Sequence, residues 1–395
     1  MNNTFKSHLS RSGYSLIFTI LFWLAVPLLA YAAEPAEPSK PSGPPDTIVF
    51  VNGDQLTGQF LRSVGDNVTF HSDLVGDVTV PWSKVRELRS SKQFAVISKK
   101  AKIKRNQAME SVPHGSITVT DSNIQVHTAE GPQPEPVPIK ETADVLDTKV
   151  YAREFGEPPN IFQAWGGTLS AGGTLVEATQ HTRTFNGSAS LVRAIPTVPY
   201  LPARNKTLVD FSSSYGKITQ EGQPEVKTSI FHADAERDEY ISSRFYVLVQ
   251  TAFDHNFSQS LDLQQIYGGG LGWTALNTAR QHLDIKATLQ YEKQEFAQAT
   301  AGTNQDLIGS TYSTTYRLKL PHNMLFNQQI SFIPAYNNSR AYSANETNNI
   351  LVPFYKRLSF SIGTLDTYLN DPPVTTPPSK RNSFQFTTGI TYQLR

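Results

Sequence analysis

The chain has no cysteine among its 395 residues. That excludes disulfide staples, thiolate nucleophiles, thiolate-bound zinc and a lipid-modified N-terminal cysteine. Net charge is also missing: 35 Lys and Arg set against 34 Asp and Glu leave +1, too weak a field to hold nucleic acid. Beyond residue 32 no run of about 18 residues is continuously apolar, so no helix of the mature chain is fit to cross a bilayer. The mean hydropathy of −0.34 would suit a soluble protein, but it does not exclude a membrane β-barrel. In a barrel half of every strand faces water and dilutes the average. The mature histidines, among them His71, His127, His181, His255 and His322, stand apart with no metal-ligand spacing, so neither metal nor other cofactor is expected.

What the chain does have is alternation. In Gln281–Lys293 the positions Leu283, Ile285, Ala287, Leu289 and Tyr291 are apolar or aromatic, while His282, Asp284, Lys286, Thr288, Gln290 and Glu292 are polar or charged. A strict period of two puts each set on one face of an extended strand. A soluble sandwich strand needs only about 5 or 6 residues, whereas a tilted outer-membrane strand needs about 9–11. Twelve alternating segments follow residue 161, near 162–175, 181–193, 205–217, 226–238, 243–254, 264–276, 280–292, 305–319, 323–336, 341–352, 355–369 and 382–394. An even number suits a closed barrel with both ends on the periplasmic side. Short connections (Glu239–Ser242, Asn277–Ala279, Pro321–His322, Pro353–Phe354) alternate with longer polar ones (Lys217–Glu225, His255–Leu263, Lys293–Asn304, Asn370–Arg381). The proline-bearing connection Ala194–Ala203 breaks that rule, being long on the side of the short turns. The 16 Tyr, 22 Phe and 4 Trp gather near strand ends, where rings suit the membrane–water boundary.

Residues 1–32 read as a signal peptide: Lys6 and Arg11, an apolar run Leu16–Ala30, and cleavage after Ala30-Tyr31-Ala32. A proline-rich linker fills 33–45, and a β-domain of SH3-like or Sm-like type fills 46–150. Within it Asp66–Leu88 is echoed by Asp121–Leu146, which points to two diverged repeats. The basic run Lys99–Arg105 between them reads as a solvated loop. A second linker covers 151–160 and the barrel 161–395.

Several stretches resemble a known family. Asn52–Gly58, Val80–Val85, Trp165–Ser170, Tyr267–Trp273 and Tyr368–Pro373 are similar to the salt-induced outer membrane proteins, a domain-of-unknown-function family of Gram-negative bacteria. The resemblance implies an outer-membrane barrel and supplies no catalytic residue. The chain departs from the usual barrel ending, closing on Leu394-Arg395 rather than on an aromatic residue.

The fold expected is therefore all-β: an antiparallel transmembrane barrel of about twelve strands behind a small periplasmic β-domain. Continued alternation places Asp210, His232, Asp234, Glu236, His282, Asp284, Lys286, Glu292, Arg317 and Lys319 on the lumen side. Mixed charge there either lines a narrow polar pore or pairs into a network that fills it. The function expected is that of a non-enzymatic channel or structural envelope protein, with a plugged ligand-binding barrel as the alternative. The mature His-x-Ser, His114-Gly115-Ser116, leaves an outer-membrane hydrolase as a third reading. Expected partners are outer-membrane lipid, the barrel-assembly machinery, and peptidoglycan or a periplasmic protein for the N-terminal domain.

Overall fold

The computed structural model describes residues 45–394 except 102, 104–107, 129–131, 158, 178–179, 221–224, 298–303 and 373–380. The expected signal peptide, nearly all of the first linker, and much of the basic run lie outside the described residues.

The N-terminal part is built from β1 (Asp46–Phe50), β2 (Gln55–Val64), β3 (Asn67–Ser72), β4 (Gly76–Pro81), β5 (Val85–Ser98), β6 (His114–Thr120), β7 (Asn123–His127), β8 (Val137–Pro138) and β9 (Thr142–Asp147). Strands β1 and β9 each pair with both β2 and β5, which closes a four-strand ring; β3 and β4 extend it from β2, and β6 to β8 from β5. The β1–β2 turn follows from Asn52-Gly53: glycine takes φ +93°, and the Asn52 side chain accepts from the Asp54 amide. Inward alternation gives a core of Ile48, Phe60, Phe70, Leu88, Phe94, Ile117, Ile124 and Val145, into which Trp82 donates its indole N–H to Ser63 at 2.7 Å.

The sequence echo is also a structural one. Strand β4 leads through a 3-10 turn (Trp82–Lys84) into β5, as β8 leads through another (Ile139–Glu141) into β9. Each turn is entered from a proline, Pro81 or Pro138, at φ −69° and −60°. Proline's ring holds that angle already. Asp144 on β9 accepts from the Gly65 amide at 3.4 Å. Burial raises its pKa above the usual carboxylate value, and the Gly65 bond offsets part of the rise. A raised folded-state pKa contributes stability below the unfolded pKa that is lost as pH climbs through the folded one. Asp144→Asn is therefore expected to raise the denaturation midpoint at pH 7 and to lose that advantage near pH 3, measured by urea titration at both values.

The barrel consists of β10 (Gly166–Glu177), β11 (Gln180–Ile195), β12 (Asn205–Gln220), β13 (Val226–Tyr240), β14 (Phe245–Asn256), β15 (Leu261–Asn277), β16 (Gln281–Phe296), β17 (Gln305–Lys319), β18 (Leu325–Pro334), β19 (Tyr342–Tyr355), β20 (Leu358–Leu369) and β21 (Asn382–Gln393). Each is antiparallel to the next, and β21 closes on β10 from Thr168↔Gln393 to Ala171↔Ile390. No backbone edge is left to meet lipid. Several expected connections differ from those found, and those at Lys217–Glu225 and Lys293–Asn304 begin only after Gln220 and Phe296. Pro353 and Phe354 do not turn: they stay in β19, where a register shift beside Pro353 absorbs the missing N–H, and the reversal falls at Lys356-Arg357 with Lys356 at φ +42°. The expected long loop His255–Leu263 shrinks to Phe257–Ser260, because β14 and β15 both run on past the polar residues.

The long connection after β11 has a physical account. Thr148–Tyr151 forms a helical turn capped by Asp147 and continues as a π turn over Ala152–Gly156, so much of the expected linker is helical. Glu154 is fully buried there and accepts from the backbone and hydroxyl of Thr197 at 2.6 Å each. Leu201 packs with Ile97, Val112, Leu146 and Tyr151, and the Arg62 guanidinium lies 4.1 Å over the Tyr200 ring. The connection is long because it seats the N-terminal domain.

Candidate functional site

Sidedness within the barrel follows from β16. Its even positions are buried or half-buried, with Asp284 only 2% exposed, while Leu289 is 69% exposed. Direct cross-strand partners share a face, so the register carries this assignment around the ring. Inward-facing are Lys206 and Asp210 on β12, His232 to Asp238 at even positions on β13, Gln250 and Asp254 on β14, and Thr274 on β15.

Three glycines of β15, Gly268, Gly270 and Gly272, point inward and leave a floor without side chains. Over that floor residues from non-adjacent strands meet. Lys286 of β16 bonds Glu236 of β13, and Gln250 of β14 reaches Thr288 of β16 at 3.3 Å. The Tyr246 ring lies so close above Gly272 that an added Cβ would be 2.1 Å from a ring carbon. Around this centre His232 bridges Asp254 (2.6 Å) and Asp234 (2.9 Å). Asp284 accepts from Thr274 (2.6 Å) and contacts His282 (2.8 Å), while Glu292 accepts from Gln264 and Gln294.

Eight of the ten residues singled out from the sequence thus lie on β12, β13 and β16, within or beside one polar network. Arg317 and Lys319 do not join it: both are exposed near the end of β17, and Arg317 donates to Asn327 at 3.1 Å. Lys206, Asp238, Asp254 and the Gln264, Gln290 and Gln294 amides were missed. They carry the same parity signal, Asp238 one step beyond Glu236, but sit near strand ends or lack charge. Inward carboxylates (Asp210, Asp234, Glu236, Asp238, Asp254, Asp284 and Glu292) outnumber the lysines Lys206 and Lys286 on this wall. Across the β10–β21 seam the wall is hydroxylic, with Ser170 bonded to Thr391 at 2.6 Å and Ser188 and Ser190 exposed.

Among the described residues no group of three or more His, Asp or Glu is disposed to hold a metal. His114 Nδ1 lies 3.3 Å from the Val112 carbonyl oxygen, and the structure records no bond from its ring to Ser116.

No curated protein matches the sequence. Among solved structures the NanC porin is 10% identical, with 57% of this chain and 98% of that chain covered and a TM-score of 0.36. The translocator domain of autotransporter NalP from Neisseria meningitidis is 11% identical, with 58% and 87% covered and a TM-score of 0.31. Such distant likenesses carry no argument about function. The family model described as "Protein of unknown function, DUF481" matches residues 169–394, more than half of the chain and nearly all of its barrel. Together with the closed ring of twelve strands and its apolar outer face, that match makes the chain an outer-membrane β-barrel belonging to the DUF481 family.

Proposed function

We propose that the barrel is a narrow, non-enzymatic channel that prefers cations, and that the N-terminal domain is a periplasmic docking module for peptidoglycan or an envelope protein. The observation that carries the reading is the asymmetric lumen: a carboxylate-rich wall on β12 to β16 faces a wall of small hydroxyls. Fixed inward carboxylates set cation preference at a constriction. The periplasmic assignment rests on the shorter turns, which in such barrels face the periplasm and lie at the end where Thr197 and Leu201 meet the domain. The Lys286–Glu236 and Glu292–glutamine contacts favour a second reading, a plugged barrel that binds a ligand.

Refolded protein in planar bilayers is expected to give small single-channel currents whose reversal potential in a KCl gradient has the cation-selective sign. Asp210→Asn combined with Asp234→Asn is expected to lower that preference while the barrel still folds. Silence in the bilayer, or anion selectivity, contradicts the channel and leaves the plugged barrel.

A further inference from the structure

The outer face bears two arginines at the end of the barrel where the N-terminal domain is seated. Cross-strand register gives the row Arg193–Thr207–Arg237–Val249 across β11 to β14, and Val249 is 62% exposed. Direct partners share a face, so both guanidinium groups leave the barrel outward. Arg193, Thr207 and Arg237 stand only two or three residues from their strand ends, Ile195, Asn205 and Tyr240. At about 3.3 Å per residue that is within roughly 10 Å of the barrel end, the depth of lipid headgroups.

Arg193 is only 8% exposed, because the segment before β10 folds back over it. Its Nε donates to the Gln163 carbonyl at 3.0 Å, and its Nη2 to those of Pro159 and Asn160 at 2.6 and 3.1 Å. Carbonyls orient the side chain without neutralising it, and no carboxylate meets it among the described residues. Both N–H groups of Nη1 are left to give. Arg237 donates to Glu239 from Nε and Nη2 at 3.0 and 2.6 Å, and from Nη1 to the Thr207 hydroxyl at 2.7 Å. The cluster therefore keeps one unbalanced positive charge, and the Thr207 hydroxyl hydrogen is still to be placed.

Between these groups and the folded-back segment lies a cleft of about 450 Å³. Asn160, Ile161 and Trp165 line one side, and Arg193, Thr207 and Arg237 the other. Ile161 and its neighbour Phe162 are 68% and 86% exposed, and the Trp165 indole donates to the Ile161 carbonyl at 2.7 Å. Such rings belong at the membrane–water boundary. Toward the membrane the same face turns wholly apolar, with the row Leu191–Val209–Ala235 followed by Ala189–Phe211–Ala233.

We propose that this cleft holds one phospholipid by its phosphate, in the leaflet next to the N-terminal domain. A phosphodiester brings a single negative charge and two unesterified oxygens, which match the unbalanced cation and the open donors of Arg193 and Thr207. The acyl chains then run along the apolar rows, which a free anion would leave uncovered. Calling that leaflet periplasmic rests on the sidedness proposed above; the site itself does not.

The test is lipid retention by the full chain refolded in non-ionic detergent, read by native mass spectrometry. The chain is expected to hold one dioleoylphosphatidylglycerol at a concentration roughly tenfold below that needed for dioleoylglycerol, which has the same chains and no phosphate. Arg193→Gln with Arg237→Gln is expected to erase that preference while keeping the heat-shifted mobility of a folded barrel. Equal retention of the two lipids by the wild-type chain overturns the proposal. An undiminished preference in the folded double variant overturns it as well, since the phosphate would then sit elsewhere. If that variant does not fold, Arg237→Gln with Thr207→Val leaves the carbonyl bonds of Arg193 in place and is read against the same outcomes. Displacement of the lipid by excess inorganic phosphate would make a free anion the ligand and overturn the lipid assignment. The readout is indifferent to whether the barrel conducts.

Discussion

Gly270→Ala is expected to abolish the folded barrel. A Cβ at that position would lie 2.0 Å from the carbonyl oxygen of Ala287 and 2.6 Å from Cα of Thr288. Both atoms are β16 backbone, locked by the β15–β16 ladder in which Gly270 stands opposite Thr288. Relief would require separating two strands on which the Lys286–Glu236 contact also depends. Overpacking of this kind costs on the order of 3 kcal/mol, and the lost ladder adds to it. The check is the gel: a closed barrel resists detergent until boiled, so the unboiled variant is expected to run as the unfolded chain. Gly187→Ala is the control, because its nearest neighbour is 3.8 Å from the added carbon. If Gly270→Ala folds as well as the control, the account of the glycine floor fails.

Leu289→Lys is expected to cost about 2–4 kcal/mol, the range for a cation on the lipid face near mid-bilayer. Leu289 stands in register with Gly269 and Ser310. On one side is the row of Trp273 and Ile285, where Trp273 stacks with Phe245; on the other is the row of Tyr267 and Tyr291. Ile285 stands on the same outward face four residues away, so Ile285→Lys is expected to cost a comparable amount. Lys286, one residue on, already sits comfortably because it points inward at Glu236. Urea unfolding in lipid vesicles reads both variants. Losses well under about 1 kcal/mol at both positions would remove the lipid-facing assignment.

How much of this was legible in the sequence depended on how unequal the two faces of each strand are. Strand β16 separates apolar from polar residues cleanly, so its inward set was readable, and so were the twelve segments. Strand β19 reads Asn345-Glu346-Thr347-Asn348-Asn349, polar on both faces, and period two cannot then say which side meets lipid. Only pairing with Ile330 and Phe384 decides it. Pro353 read as a turn because proline usually ends a strand, but it is tolerated beside a register shift near a strand end. The contact between Lys286 and Glu236 was not readable for a different reason. It depends on barrel closure and on a glycine floor, neither of which is local. The joint through Glu154 and Thr197 is likewise a meeting of segments more than 40 residues apart.

The most direct test of the central claim is nitroxide accessibility along β16, which the cysteine-free chain makes simple. Single cysteines at 284, 285, 287, 288, 289 and 290 would be spin-labelled in bilayers and exposed to oxygen, which concentrates in lipid. Strong collision at 285, 287 and 289 with weak collision at 284, 288 and 290 is the predicted pattern. Absent alternation, or alternation with the charged set facing oxygen, would contradict a barrel that is apolar outside and polar within.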